Sequence, residues 1–138
     1  MVPSGLYSDQ GTSALRTLML DSWYALVGFE NRKGMFDIHR SFKFCIIYVR
    51  KGVSSKVLSL CFMQQEQKKS YPFLTLPKKQ IRRYSPQTLA IMELSDSREI
   101  AVLERVYKNT VVLGSQQEGA WKIKYRSGFH LTNDAKHF

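Results

Sequence analysis

Phe42-Lys43-Phe44-Cys45-Ile46-Ile47-Tyr48-Val49, followed after seven residues by Val57-Leu58-Ser59-Leu60-Cys61-Phe62-Met63, is the pair of runs on which the fold turns. Both are short, apolar and rich in β-branched and aromatic residues, the composition of half-buried or fully buried strands. The connector Arg50-Lys51-Gly52-Val53-Ser54-Ser55-Lys56 is polar and contains glycine, so the economical expectation is an antiparallel hairpin. Upstream, Trp23-Tyr24-Ala25-Leu26-Val27-Gly28-Phe29 is a third strand-like run, closed by the polar loop Glu30-Asn31-Arg32-Lys33-Gly34. Before it, the segment from Thr12 to Ser22 predicts a helix, capped by Thr12 or Ser13, with Leu15, Leu18 and Met19 on one face.

Downstream, Gln64 to Ser70 reads as a surface loop. Pro72, Pro77 and Pro86 then keep regular elements short, because proline lacks an amide donor and restricts the residue before it. A helix is predicted from Asp96, which has Glu99 at capping-box spacing, an apolar stripe of Ile100, Leu103 and Val106 or Tyr107, and a favourable Glu104–Lys108 pair. Gly114 is a plausible stop, and Trp121-Lys122-Ile123-Lys124-Tyr125 alternates as a strand with one wet face would.

The chain has 138 residues, 21 Lys and Arg, 11 Asp and Glu, and a formal net charge of +10. That length suits one domain of ordinary size, and the balance points to polyanions, nucleic acid before anionic membrane. The surplus is local. Between Arg40 and Arg83 stand eleven basic residues and one acid, Glu66, and the remainder of the chain is balanced. Such a block is either a solvated face or a surface that tracks a phosphate backbone; here the bases flank strands and alternate with aromatics.

Cys45 and Cys61 lie in apolar runs without metal-ligand spacing, as buried reduced thiols of a cytoplasmic protein would. His39, His130 and His137 form no metal motif, so no metal is expected. The first five residues have neither a basic nor an apolar signal region, and no run reaches membrane-spanning length. The chain also has no glycine-rich nucleotide loop, no nucleophile elbow and no Asp-Pro-Pro or Asn-Pro-Pro run. From the residues alone the expectation is a basic, nucleic-acid-binding α/β or α+β domain without a self-contained active site.

Three stretches add a resemblance. Gly28-Phe29-Glu30-Asn31-Arg32-Lys33-Gly34-Met35-Phe36-Asp37-Ile38-His39-Arg40-Ser41-Phe42-Lys43-Phe44, then Ile81 to Glu93 around Ser85-Pro86, then Trp121 to Phe138 with Leu131-Thr132-Asn133-Asp134, stand in this order. Together they resemble large adenine-specific DNA methyltransferases of the type IIG restriction-modification and BREX phage-defence kind. The resemblance implies an α/β fold: residues 1–63 as the C-terminal portion of a Rossmann-like methyltransferase sheet, with late strands plus hairpin. Residues 64–138 would be a small α+β extension, comprising a basic connector, a helix and the start of a recognition region, the two not being independent domains.

In that family the S-adenosylmethionine motif and the catalytic (Asn/Asp)-Pro-Pro-(Tyr/Phe) motif lie upstream of the matched stretches. Neither motif is in this chain, so it is expected to bind no cofactor by itself, to hold no catalytic residue and to be inactive alone. Its expected partners are double-stranded DNA and the missing N-terminal portion of the enzyme, with no membrane. The alternative is a stand-alone DNA-binding or specificity module.

Methylating an adenine amine requires the base to be flipped out and held by stacking. Phe36 matches the family's stacking aromatic, and it is equally a candidate loop anchor packed on the core. Asn31, Arg32 and Lys33 match the polar target loop, although loop residues of these types more often have a structural or solvent role. Lys43, Lys78, Lys79, Arg82 and Arg83 are the candidates for DNA phosphate contact.

Overall fold

The structure is a computed structural model that describes residues 2–64, 69–113, 115, 118–121, 123 and 128. In chain order the elements are β1 (Val2–Pro3), α1 (Gly5–Ser8), α2 (Ser13–Met19), β2 (Trp23–Glu30), β3 (Lys43–Val49), β4 (Val57–Gln64), β5 (Leu74–Pro77), α3 (Lys78–Tyr84) and α4 (Ser97–Lys108). The strands form one mixed five-stranded sheet in the order β1-β3-β2-β4-β5, and with the helices this makes an α+β fold. β3 runs antiparallel to both neighbours, β2 and β4 are parallel, and β5 returns antiparallel to β4.

The expected β3–β4 hairpin does not form. β2 lies between the two strands, with Leu26 opposite Ile47 on one side and Leu60 on the other. The reason is visible in β2 itself: Leu26 to Glu30 are all buried, as in a strand covered on both faces and paired on both edges. The seven-residue connector is spent crossing the start of β2, where Arg50 N–H donates to the Ser22 carbonyl (3.0 Å) and Ser55 N–H to the Asp21 carbonyl (2.9 Å).

Side chains alternate across the sheet. On one face Leu26, Cys45, Leu58, Leu60, Phe62 and Leu76 meet Tyr7 of α1, Leu20 after α2, Ile81 of α3, and Leu89, Ile91 and Leu94. On the other, Val27, Phe29, Phe44 and Cys61 form a smaller cluster against Tyr71. Both cysteines are buried, and burial pushes the Cys45 thiol up to about 11.

α2 faces inward differently from its sequence pattern. Leu15 and Leu18 are exposed, Leu18 at 82%, while the fully buried residue is Arg16. Its guanidinium donates to the carbonyls of Thr88 (2.9 Å), Leu6 (3.0 Å) and Asp9 (2.6 Å) and to the Thr12 hydroxyl (2.5 Å). The Leu6 and Asp9 carbonyls also accept from Thr12, and the cation joins them to the Thr88 carbonyl, so it sews α1 and α2 to the segment after α3. The Thr12 hydroxyl, expected to cap α2, donates instead to the Gly5 carbonyl (2.6 Å).

α4 begins as predicted, with the Asp96 carboxylate accepting from the Arg98 and Glu99 amides (2.6 and 3.2 Å). Its stripe is Ile100, Leu103 and Tyr107, the last against Tyr84 with ring centroids 4.4 Å apart; Val106 is exposed. Glu104 accepts from Gln80. The helix ends at Lys108, six residues before Gly114, which lies outside the described residues, as do Lys122, Lys124 and Tyr125 of the predicted last strand.

Near the end of β4 the parallel ladder carries a bulge: one residue of β2, Gly28, spans what Phe62 and Met63 span on β4, and Met63 takes φ +60°. The bulge turns the Phe62 ring across Gly28, where an added Cβ would meet the ring's Cδ1 at 2.4 Å. Gly28→Ala should therefore destabilise the fold by about 1–3 kcal/mol through overpacking, read as a lower urea midpoint at unchanged slope.

Candidate nucleic-acid interface

β1 and β2 are both antiparallel to β3 and hence parallel to each other, so the carboxyl ends of β1, β2 and β4 share one edge of the sheet. The loop from residue 31 to 42 springs from this edge. Its base is closed by Asn31 N–H donating to the Phe42 carbonyl (3.1 Å), and Ser4 N–H donates to Lys43 (3.2 Å) alongside. A 3-10 turn over Asn31–Lys33 ends at Gly34 with φ +70°, the left-handed position that glycine adopts without strain.

Asn31 is fully buried. Its Nδ2 donates to the carbonyls of Phe36 and Ile38, and its Oδ1 accepts from the Phe36 amide, all at 3.0 Å. Both amide donors and the acceptor are thus committed to the loop backbone, and Asn31 acts as an internal brace rather than an exposed target-loop residue. What it braces is Phe36, which is 38% exposed at the rim. The Phe36 ring stands edge-on to Phe44 (4.8 Å, 84°), and Phe44 stacks on Phe29 (5.1 Å, 2°). Phe36 is therefore both a packed ring and a partly open one.

The charges around it are mostly paired. Arg32, exposed, bridges to the nearly buried Glu30 at 3.0 Å, and Lys33 is exposed. Lys43 donates to Glu93 Oε2 at 2.5 Å while the Tyr7 phenol donates to Glu93 Oε1 at 2.7 Å. Burial first, and the Glu93 carboxylate second, push the Tyr7 phenol well above its ordinary range. The cleft that these groups share with Gly28 and Phe62 is too narrow for a water molecule.

The other sequence candidates lie at the opposite edge. Lys78 is 3% exposed, with Nζ donating to the Asp21 carbonyl at 2.9 Å. Arg82 bridges to the Asp21 carboxylate at 2.6 Å, Arg83 donates to the Tyr107 carbonyl, and Lys79 is exposed. The eight residues of β2 separate the two edges, roughly 26 Å at strand rise. The candidate basic residues are thus divided into two stations, the Phe36 loop with Arg32, Lys33 and Lys43 at one and Lys78, Lys79 and Arg82 at the other.

Glu93 and Tyr7 as holders of Lys43, and Asp21 as organiser of the far edge, were not among the sequence candidates; they are single residues with no spacing signal. His39 is exposed and pairs with Ser41 Oγ at 2.7 Å. His130, Asn133, Asp134 and His137 lie outside the described residues. Among the described residues no cluster of metal-ligating side chains is found, and no helix is long and apolar enough to cross a membrane. No family model, curated protein or solved structure matches the chain.

Asn31→Ala removes two donors and one acceptor from the loop backbone, although the Phe36 carbonyl keeps the Ile38 N–H at 2.8 Å. A lost hydrogen bond costs about 0.5–1.5 kcal/mol, so the variant should show a lower thermal midpoint and faster hydrogen exchange at the Phe36 amide. Unchanged exchange there would mean that the loop holds its shape without the brace.

Proposed function

We propose that this chain supplies the late sheet strands, the target-base loop and a DNA-contacting flank of a site-specific DNA adenine methyltransferase of restriction-modification or phage defence, working in the cytoplasm. In this reading β1, α1, α2 and β2 are the last crossover of a Rossmann-like sheet, with β3 inserted between the two parallel strands. A helical crossover between parallel strands is the building unit of α/β sheets, and such sheets take their ligands at the carboxyl edge. The observation that carries the proposal is at that edge: a partly exposed aromatic, Phe36, whose backbone exchanges two hydrogen bonds with a buried Asn31 that also donates to the Ile38 carbonyl.

A flipped adenine has lost its pairing partner and is held by stacking, which a prepositioned ring provides with little further ordering. The described residues do not fit S-adenosylmethionine, because the cleft at the carboxyl edge is filled by Tyr7, Lys43 and Glu93. The chain would therefore act with a partner portion bearing the cofactor and catalytic motifs. A second reading, a stand-alone DNA-binding or specificity module, is favoured by the closed core of thirteen buried residues beneath the helices.

The test is fluorescence anisotropy with an adenine-rich single strand and the same strand made abasic at its centre. Stacking on one ring contributes about 1–3 kcal/mol, so Phe36→Ala should weaken binding of the adenine strand roughly 5- to 150-fold and leave the abasic strand unaffected. Equal affinity of wild type and variant for the adenine strand, with the circular dichroism spectrum preserved, would refute the stacking role.

A further inference from the structure

At the edge opposite Phe36 a cleft of about 550 Å³ opens between the β3–β4 connector and α3, lined by Asp21, Ser54, Lys56, Lys78, Lys79 and Arg82. Four cations face it and one carboxylate. The cleft is built rather than incidental: the Asp21 carbonyl accepts from both Lys78 Nζ and Ser55 N–H, each at 2.9 Å, and Lys78 N–H donates to the Lys56 carbonyl at 2.9 Å. The start of β2, the connector and α3 are thereby locked together around it.

Lys78 is the unusual member. An ammonium has three N–H donors, and among the described residues this one donates to a neutral carbonyl, although Lys78 is 3% exposed. Burying a cation without an anion is unfavourable, and burial accordingly lowers its pKa. The Asp21 carboxylate is bonded to Arg82, at 2.6 Å, and its charge offsets only part of the lowering that burial imposes on Lys78. A desolvated cation, two exposed lysines and an arginine fork together suit a compact multivalent anion.

We propose that this cleft is a phosphate-binding site, in which Lys56, Lys79 and Arg82 grip the phosphoryl oxygens, Lys78 supplies a fixed buried charge, and the phosphate displaces the Asp21 carboxylate from Arg82. Asp21 is then an internal competitor that occupies the arginine until the ligand arrives. The ligand is either a backbone diester of duplex DNA or a mobile phosphate monoester. In its duplex arm the site rests on the DNA-contacting flank of the proposed function, but it shares no residue with the Phe36 loop, so either can fail without the other.

The experiment uses the full chain with two probes, a fluorescein-labelled duplex followed by anisotropy and inorganic phosphate followed by calorimetry. Lys56→Ala with Lys79→Ala removes two exposed charges, and Arg98→Ala with Arg105→Ala removes the same charge from α4 as a control. The first pair should weaken the probe that belongs to the site tenfold or more, and the control pair about twofold or less. Asp21→Asn should tighten the same probe severalfold by removing the competitor. A selective loss for the duplex, with a salt slope shallower by about one to two, assigns a backbone phosphate; a loss for inorganic phosphate assigns a free monoester. Equal losses in the two pairs, or no loss in either, with folding confirmed by circular dichroism, would overturn the site.

Discussion

From Leu26 to Glu30 no residue of β2 is exposed, and the strand is hydrogen-bonded on both sides, antiparallel to β3 and parallel to β4. A strand in that position dictates what surrounds it. Its alternate side chains must be covered on two faces, which the helices do on one side and the Phe44 and Tyr71 rings do on the other. Its ends must be reached by chain entering and leaving at opposite edges. The connector over the start of β2 and the loop beyond Asn31 are the results.

Those two pieces of chain carry most of the chemistry worth testing, and they are functionally unlike. At the carboxyl edge polar groups are used to hold shape: Asn31 saturates a loop, and Glu93 absorbs both Tyr7 and Lys43. At the amino edge the polar groups are incompletely matched, with four cations around one aspartate. Burial and pairing therefore matter more than the count of bases. Lys43 and Lys78 both belong to the basic block, yet one is neutralised by a carboxylate and the other is desolvated beside a carbonyl.

The strands were legible because their information is local: Trp23–Phe29, Phe42–Val49 and Val57–Met63 differ from β2, β3 and β4 by one residue at an end. The Asp96 cap was legible for the same reason. Pairing was not, since which strand lies beside β3 depends on Leu26 and Leu60, thirty-four positions apart, and a glycine-containing connector looks alike whether it turns back or steps across a neighbour. α2 misled because a buried arginine has no hydrophobic signature; Arg16 is recognisable only once four acceptors converge on it. At the site, Phe36 stood out through a resemblance, whereas the bracing by Asn31 was hidden in a run of polar residues that reads as solvent-exposed.

The Ile91 amide donates to the Tyr7 carbonyl at 2.9 Å, and Glu93 holds the Tyr7 phenol, so the segment before α4 is clasped to the beginning of the chain. α4 stands outside that clasp. It contributes no buried residue and is attached through Ile100, Leu103, the Tyr107–Tyr84 pair, the Gln80–Glu104 bond and the Arg83 bond to the Tyr107 carbonyl. Local opening follows the apolar contact that must be broken. Unfastening α4 therefore exposes little of the sheet's core, so the helix can come away while the sheet beneath it stays closed.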